Sequence, residues 1–295
     1  MAKSKTVSFD DALPVCGKMN FASTEAYNLL QTSIRYSFAG DEGCKVVGVT
    51  SSVRNEGKST IAVNLAYSLA ADKQKVLLLE GDMRLPSLSK KISIETTPGL
   101  SDYLTGKLKG SEGVQYPEIA PGMAVIPAGV APPNPFRLLG SDSMRDFLEE
   151  QKKVFDYIIV DLPPVSIVSD PLAIAKFLDG FIVVVRDEYT TRQSVQDVVK
   201  KLQIVGANIL GFVINGDASG GGHYGRYGRY GKYGRYDKYG KYGKYAEYYS
   251  EKDYEKSYES ASKAAAKDSN ETASDDNADA KAEKKKKHGK GSKDK

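Results

Sequence analysis

The segment VTSSVRNEGKST, residues 49–60, joins an apolar run to an amphipathic stretch and contains the order Gly57-Lys58-Ser59. Where a glycine turn links a strand to a helix, backbone N–H groups and the helix N-terminus converge on one spot that suits phosphate. Ser52, Asn55, Glu56, Gly57 and Thr60 then form the loop that wraps the phosphates of a nucleotide. Lys58 is placed to reach the β- and γ-phosphates, and the Ser59 hydroxyl to coordinate Mg2+. The stretch departs from G-x-x-x-x-G-K-[ST] at the first position, which holds Ser52.

Two further stretches put acids where such a loop needs them. LLLEGDMRLP (77–86) ends an apolar run in Glu80 and Asp82, and YIIVDLPPV (157–165) carries Asp161 at the end of another. Ligands of open α/β sheets gather at the carboxyl ends of the strands. Asp161 has the place of a Walker B acid, which holds Mg2+ directly or through water. One acid at a strand end is often only a solvated terminus, whereas two beside one phosphate loop are more specific. Together the three stretches give a nucleotide triphosphatase scaffold. Both histidines, His223 and His288, lie beyond residue 217. The chemistry of the body therefore works without imidazole, and a histidine-based zinc site is not expected.

These groups need a sheet to carry them. Apolar runs recur at 45–50, 75–82, 123–129, 157–161, 181–185 and 209–215, with helical stretches at 58–72, 142–152, 171–178 and 191–205. Strands that are apolar throughout, rather than alternating, belong to a sheet covered on both faces. The fold class expected is α/β: a P-loop NTPase-like, mostly parallel sheet flanked by helices. Residues 21–217 form this body, after an extended arm over 1–20 and before a tail over 218–295. The 295-residue chain has 42 Lys and Arg against 38 Asp and Glu, and a net charge of +4 is too mild to imply nucleic acid or a membrane surface by itself. Cys16 and Cys44 have no metal or redox spacing, and so few cysteines suit a reducing cytoplasm. No apolar run approaches the ~20 residues that cross a bilayer.

The tail opens on a feature that no core explains. YGRYGRYGKYGRY (224–236) sets a tyrosine at every third position, a period that fits neither strand nor helix. Its glycines make backbone ordering costly, and it has no proline to support a collagen-like helix. The phenols are therefore expected to be displayed in water on a disordered segment. Twelve of the chain's 19 tyrosines lie here: Tyr224, Tyr227, Tyr230, Tyr233, Tyr236, Tyr239, Tyr242, Tyr245, Tyr248, Tyr249, Tyr254 and Tyr258. The terminal KKKKHGKGSKDK reads as a solvated basic end.

Taken in order, SVRNEGKST, EGDMR, DLPP and the tyrosine run resemble the bacterial tyrosine kinases of capsule and exopolysaccharide synthesis. Those combine a P-loop, D-x-D-x-R and D-x-x-P motifs after apolar strands, and a C-terminal tyrosine cluster. The resemblance covers roughly residues 21–258 and implies transfer of the ATP γ-phosphate to tyrosine, with Mg2+ as the metal. By the same resemblance, Asp82 accepts the phenol proton and shares the metal with Ser59 and Asp161. Arg84 matches the arginine of its motif, and Glu80 replaces the first aspartate with a longer carboxylate. A phenol loses its proton near pH 10, so a placed carboxylate is plausible chemistry here. Asn215 is either an adenine contact or a turn asparagine. The tail tyrosines become the substrate of the domain before them.

The resemblance further implies the stand-alone type, cytoplasmic and recruited to the inner face of the membrane. Its partner would be a separate activator of the polysaccharide co-polymerase kind. Family members also form rings through an E-x-x-R-x-x-R helix face, which here reads Glu25, Asn28 and Gln31, so a weaker ring is expected, with Arg35 as a partial substitute. Two rival readings remain. A ParA/MinD-like ATPase shares the scaffold but places a second lysine early in its loop, where Ser52 stands, and leaves the tyrosines unexplained. Tyrosine interleaved with Arg and Lys also resembles segments that stack on single-stranded nucleic acid, although no nucleic-acid partner is expected.

Overall fold

A computed structural model describes residues 15, 16, 19–118, 120 and 122–216. The tail and its twelve tyrosines lie outside the described residues, as does most of the arm. Val15 and Cys16 nonetheless belong to the body. Cys16 is fully buried, and its backbone N–H donates to Asn64 Oδ1 at 2.7 Å. One small apolar side chain thus anchors the approach to the body.

Six parallel strands form the sheet: β1 (Lys45–Ser51), β2 (Val76–Glu80), β3 (Met123–Ile126), β4 (Tyr157–Asp161), β5 (Gly180–Arg186) and β6 (Ile209–Asn215). Their spatial order is β3-β2-β4-β1-β5-β6. Alternate side chains of one apolar run enter opposite cores, the property that unbroken runs announce. Val46, Leu77, Leu79, Ile158, Val160, Phe181 and Val183 pack on one face, and Val47, Val49, Leu78, Ile159, Ile182 and Val184 on the other. The edge strand β6 departs from this pattern, with Phe212 and Ile214 exposed.

Helix α1 (Phe21–Ser37) and helix α2 (Lys58–Ala71) contribute Ile34 and Leu65 to the second face. Short helices α3 (Leu88–Ile92) and α4 (Leu100–Leu104) lie between β2 and β3, and α5 (Pro135–Leu139) follows β3. At five residues each they are too brief to show a helical period, and the sequence reading passes over them. Helix α6 (Asp142–Gln151) starts at a Ser141 cap, and α8 (Arg192–Ile204) at a Thr191 cap. The helix expected over 171–178 is α7 (Asp170–Ile174), which tightens into a 3-10 turn at Ala175–Phe177. The run expected as strand to residue 129 ends at Ile126, where Pro127 and the turn at Gly129 (φ 79°) leave the sheet.

Candidate active site

The ends of β1, β2 and β4 meet because β1 and β2 both pair with β4. Glu80 and Asp161 are register partners, and Val49 also pairs with Asp161. Three functional stretches that are distant in sequence thereby open at one edge of the sheet. After β1 the chain turns through Asn55 (φ 62°) and Gly57 (φ 89°) into α2. Gly57 holds a left-handed conformation that a side chain would strain. No side chain caps α2, so its first turn presents backbone N–H groups at the mouth of the loop.

Lys58 stands among acids. Its Nζ lies 3.2 Å from Asp82 Oδ2, 3.8 Å from Asp161 Oδ1 and 3.2 Å from the Ser59 hydroxyl. Asp82 Oδ1 also accepts from the Leu85 N–H at 3.1 Å, which fixes the turn after β2. Asp161 is fully buried, and neither of its oxygens has a hydrogen-bond partner. Burial raises its pKa, an effect that Lys58 and the nearby Ser59 hydroxyl partly offset. A buried carboxylate without donors, beside a hydroxyl and a second carboxylate, is a hard oxygen donor set suited to Mg2+. Among the described residues no cluster of three or more acids, histidines or cysteines could hold a metal alone. Mg2+ commonly takes one or two carboxylates and completes its shell with phosphate and water, so Ser59, Asp82 and Asp161 fit it.

The other expected site residues divide. Glu80 Oε1 accepts from the Ser87 N–H at 2.5 Å and the Leu88 N–H at 2.8 Å, while Oε2 accepts from the Ala128 N–H at 3.1 Å. These bonds make it a brace for the chain beyond β2 and β3. Burial pushes its pKa to about 7, against the three donors that favour the charged form. Arg84 makes a two-pronged pair with Asp170, Nε to Oδ2 at 2.6 Å and Nη2 to Oδ1 at 3.0 Å. Ser52 donates to Glu56 at 2.8 Å, and Thr60 Oγ1 is buried without a partner. Asn215 Nδ2 donates to the Glu56 carbonyl at 3.0 Å, so it reaches the phosphate loop itself.

Sequence reasoning missed Asp170, Arg186 and Thr190. Arg186 Nη1 donates to the Asn55 carbonyl at 3.0 Å, and the Thr190 hydroxyl donates to the Glu56 carboxylate. Asp170 opens a helix just before Pro171, a signal for a helix start that says nothing of a partner on another loop.

A family model described as "ParA: NUBPL iron-transfer P-loop NTPase" matches residues 44–226. The tyrosine-protein kinase CpsD of Streptococcus agalactiae serotype III (strain NEM316) is 35% identical over 192 residues, 65% of this chain and 81% of that protein. The tyrosine-protein kinase YwqD of Bacillus subtilis (strain 168) is 31% identical over 194 residues, 66% of this chain and 81% of that one. Among solved structures, the kinase domain of Escherichia coli tyrosine kinase ETK has a TM-score of 0.63 at 32% identity, covering 65% of this chain and 75% of the other. The BceF tyrosine kinase domain has a TM-score of 0.60 at 31% identity, covering 66% and 77%.

Proposed function

We propose that this chain, which belongs to the bacterial tyrosine kinase family, transfers the γ-phosphate of ATP to the tyrosines of its own tail, Tyr224 to Tyr258, and so regulates capsular or exopolysaccharide synthesis. The chain is a protein-tyrosine kinase on a P-loop NTPase fold. The observation that carries the assignment of roles is the convergence of Lys58, Ser59, Asp82 and Asp161 at one edge of the sheet. Lys58 would leave its carboxylates for the β- and γ-phosphates when nucleotide binds, because the phosphates offer it more negative charge. Asp82 is then exposed to the incoming phenol. It takes the phenol proton as the tyrosine oxygen bonds to the γ-phosphorus and the bond from that phosphorus to the ADP oxygen breaks. Bound Mg2+ supplies the positive charge that steadies the phosphate oxygens. Asp161 and Ser59, with Asp82 beside them, would hold it, and Glu80 would keep the β2 turn in shape.

Glycines between the tail phenols would let several of them enter one cleft in turn, and the adjacent Arg and Lys would offset added phosphate. A membrane protein of the polysaccharide co-polymerase type would recruit and activate the kinase at the inner face of the membrane. No helix among the described residues is long and apolar enough to cross one. Ring assembly through α1 would be weak. Asn28 donates to Glu25 at 3.0 Å, Gln31 accepts from Ser68 at 2.8 Å, and Arg35, the expected substitute, pairs with Asp72 at 2.6 Å.

The direct test is to mix the purified chain with Mg–ATP alone and probe for phosphotyrosine. The wild type should label itself and a folded Lys58→Met variant should not. ATP hydrolysis without phosphotyrosine would favour the positioning-ATPase reading instead.

A further inference from the structure

Glu56 places a carboxylate inside the loop that must receive phosphate, and that residue is fully buried. Like charge beside phosphate opposes binding, so the side chain needs another task. Its bonds supply one. Oε1 accepts from the Ser52 hydroxyl at 2.8 Å and from the Thr190 hydroxyl, and Oε2 accepts from the Val53 N–H at 2.8 Å. Thr190 belongs to the turn between β5 and α8, and its oxygen accepts the Arg186 N–H at 2.8 Å. Two side-chain bonds to the loop's carbonyls run in parallel with this link, from the Arg186 guanidinium to the Asn55 carbonyl and from the Asn215 amide to the Glu56 carbonyl. The turn and β6 are themselves joined, since the Asp187 N–H donates to the Asn215 carbonyl at 2.9 Å.

We propose that Glu56 and Thr190 are positioning residues that strap the phosphate loop to the β5–α8 turn and thereby set its affinity for nucleotide. The first glycine of the usual motif is absent, and Ser52 in its place donates to the same carboxylate, so a hydrogen-bonded knot shapes the start of the loop. A loop ordered before the ligand arrives avoids the entropy cost of ordering it on binding. The inference rests on reading 52–60 as the nucleotide loop.

The experiment measures binding of a fluorescent ADP analogue to the full chain, and KM and kcat for ATP. Thr190→Val and Thr190→Ala should weaken binding about tenfold, the order expected for losing one hydrogen bond to a charged group. KM for ATP should rise with kcat unchanged, since the strap acts on ground state and transition state alike. Thr190→Ser, which restores the hydroxyl, should bind like the wild type. Thr191→Ala is the structural control: Thr191 caps α8 by accepting the Ser194 N–H at 3.1 Å, so its loss should lower Tm and leave nucleotide affinity unchanged. Wild-type affinity in Thr190→Val, or equal weakening in Thr191→Ala, would overturn the strap while leaving the nucleotide site intact. Failure of both Thr190→Val and Thr190→Ala to fold would also overturn it, by making Thr190 a scaffold residue. A wild-type chain that binds no nucleotide at all would remove the parent reading instead.

Discussion

Lys58 stands as one cation between two acids, Asp82 and Asp161, in a nearly dry setting, with the acids 3% and 0% exposed. Such an arrangement is costly unless further positive charge joins it, and Mg2+ with nucleotide brings that charge. The two acids differ in their bonds. Asp82 shapes the turn after β2 through Leu85, whereas Asp161 has no donor. Asp161→Asn should therefore weaken Mg–ATP binding, by roughly tenfold or more for loss of a metal ligand, while Asp82→Asn should depress kcat more than binding. Titrating both variants with Mg–ATP and measuring turnover separates the roles. Equal losses of affinity would mean that base and metal ligand are not divided between them. The sequence marked all three residues because each belongs to a contiguous stretch with its own physical logic. The resemblance placed Glu80 and Arg84 in the same motif, and the partners that hold them lie beyond that stretch. Three backbone N–H groups claim Glu80, and an acid 86 residues away claims Arg84.

Among elements, the contact between the turn after β2 and the start of α7 matters most for the site. Arg84 and Asp170 stitch these two together, with Asp170 only 1% exposed. Removing the arginine leaves a buried carboxylate alone, and such losses cost about 3–5 kcal/mol. Arg84→Ala should lower unfolding stability by about 3 kcal/mol and disturb transfer as a consequence. Denaturant melts of Arg84→Ala, Asp170→Ala and the double variant check this, and the double should be less damaged than the sum of the singles. Full stability with lost transfer would instead place Arg84 at the phosphates. The long elements were legible, since β1, β2, β4 and β5 are unbroken apolar runs, α6 and α8 keep a helical period, and α2 follows directly from the phosphate-loop motif. What stayed hidden is short or distant. Helices α3, α4 and α5 have too few residues for a period, and Thr190 reaches Glu56 across 134 positions.

At the scale of the molecule, two apolar cores on opposite faces of one sheet hold the catalytic edge. Of the seven body tyrosines, Tyr36, Tyr116 and Tyr189 are exposed, whereas Tyr67 and Tyr157 offer poor substrates. Tyr157 lies on β4 at 9% exposure and Tyr67 is half-buried on α2, so neither can reach a cleft without unfolding an element. The twelve tail phenols, spaced by glycine and cations, need no such cost. A few phosphates there, each about −1.5 to −2 charges, would reverse the sign of the segment and, in the proposed ring, push neighbouring tails apart. The most direct test is site-resolved mass spectrometry of phosphotyrosine after incubation with Mg–ATP, on the full chain and on residues 1–217. The phosphate should fall on Tyr224 to Tyr258 in the full chain and drop to a trace in the shortened one, which should still bind ATP. Phosphate found mainly on Tyr67 or Tyr157, or undiminished labelling without the tail, would contradict the account.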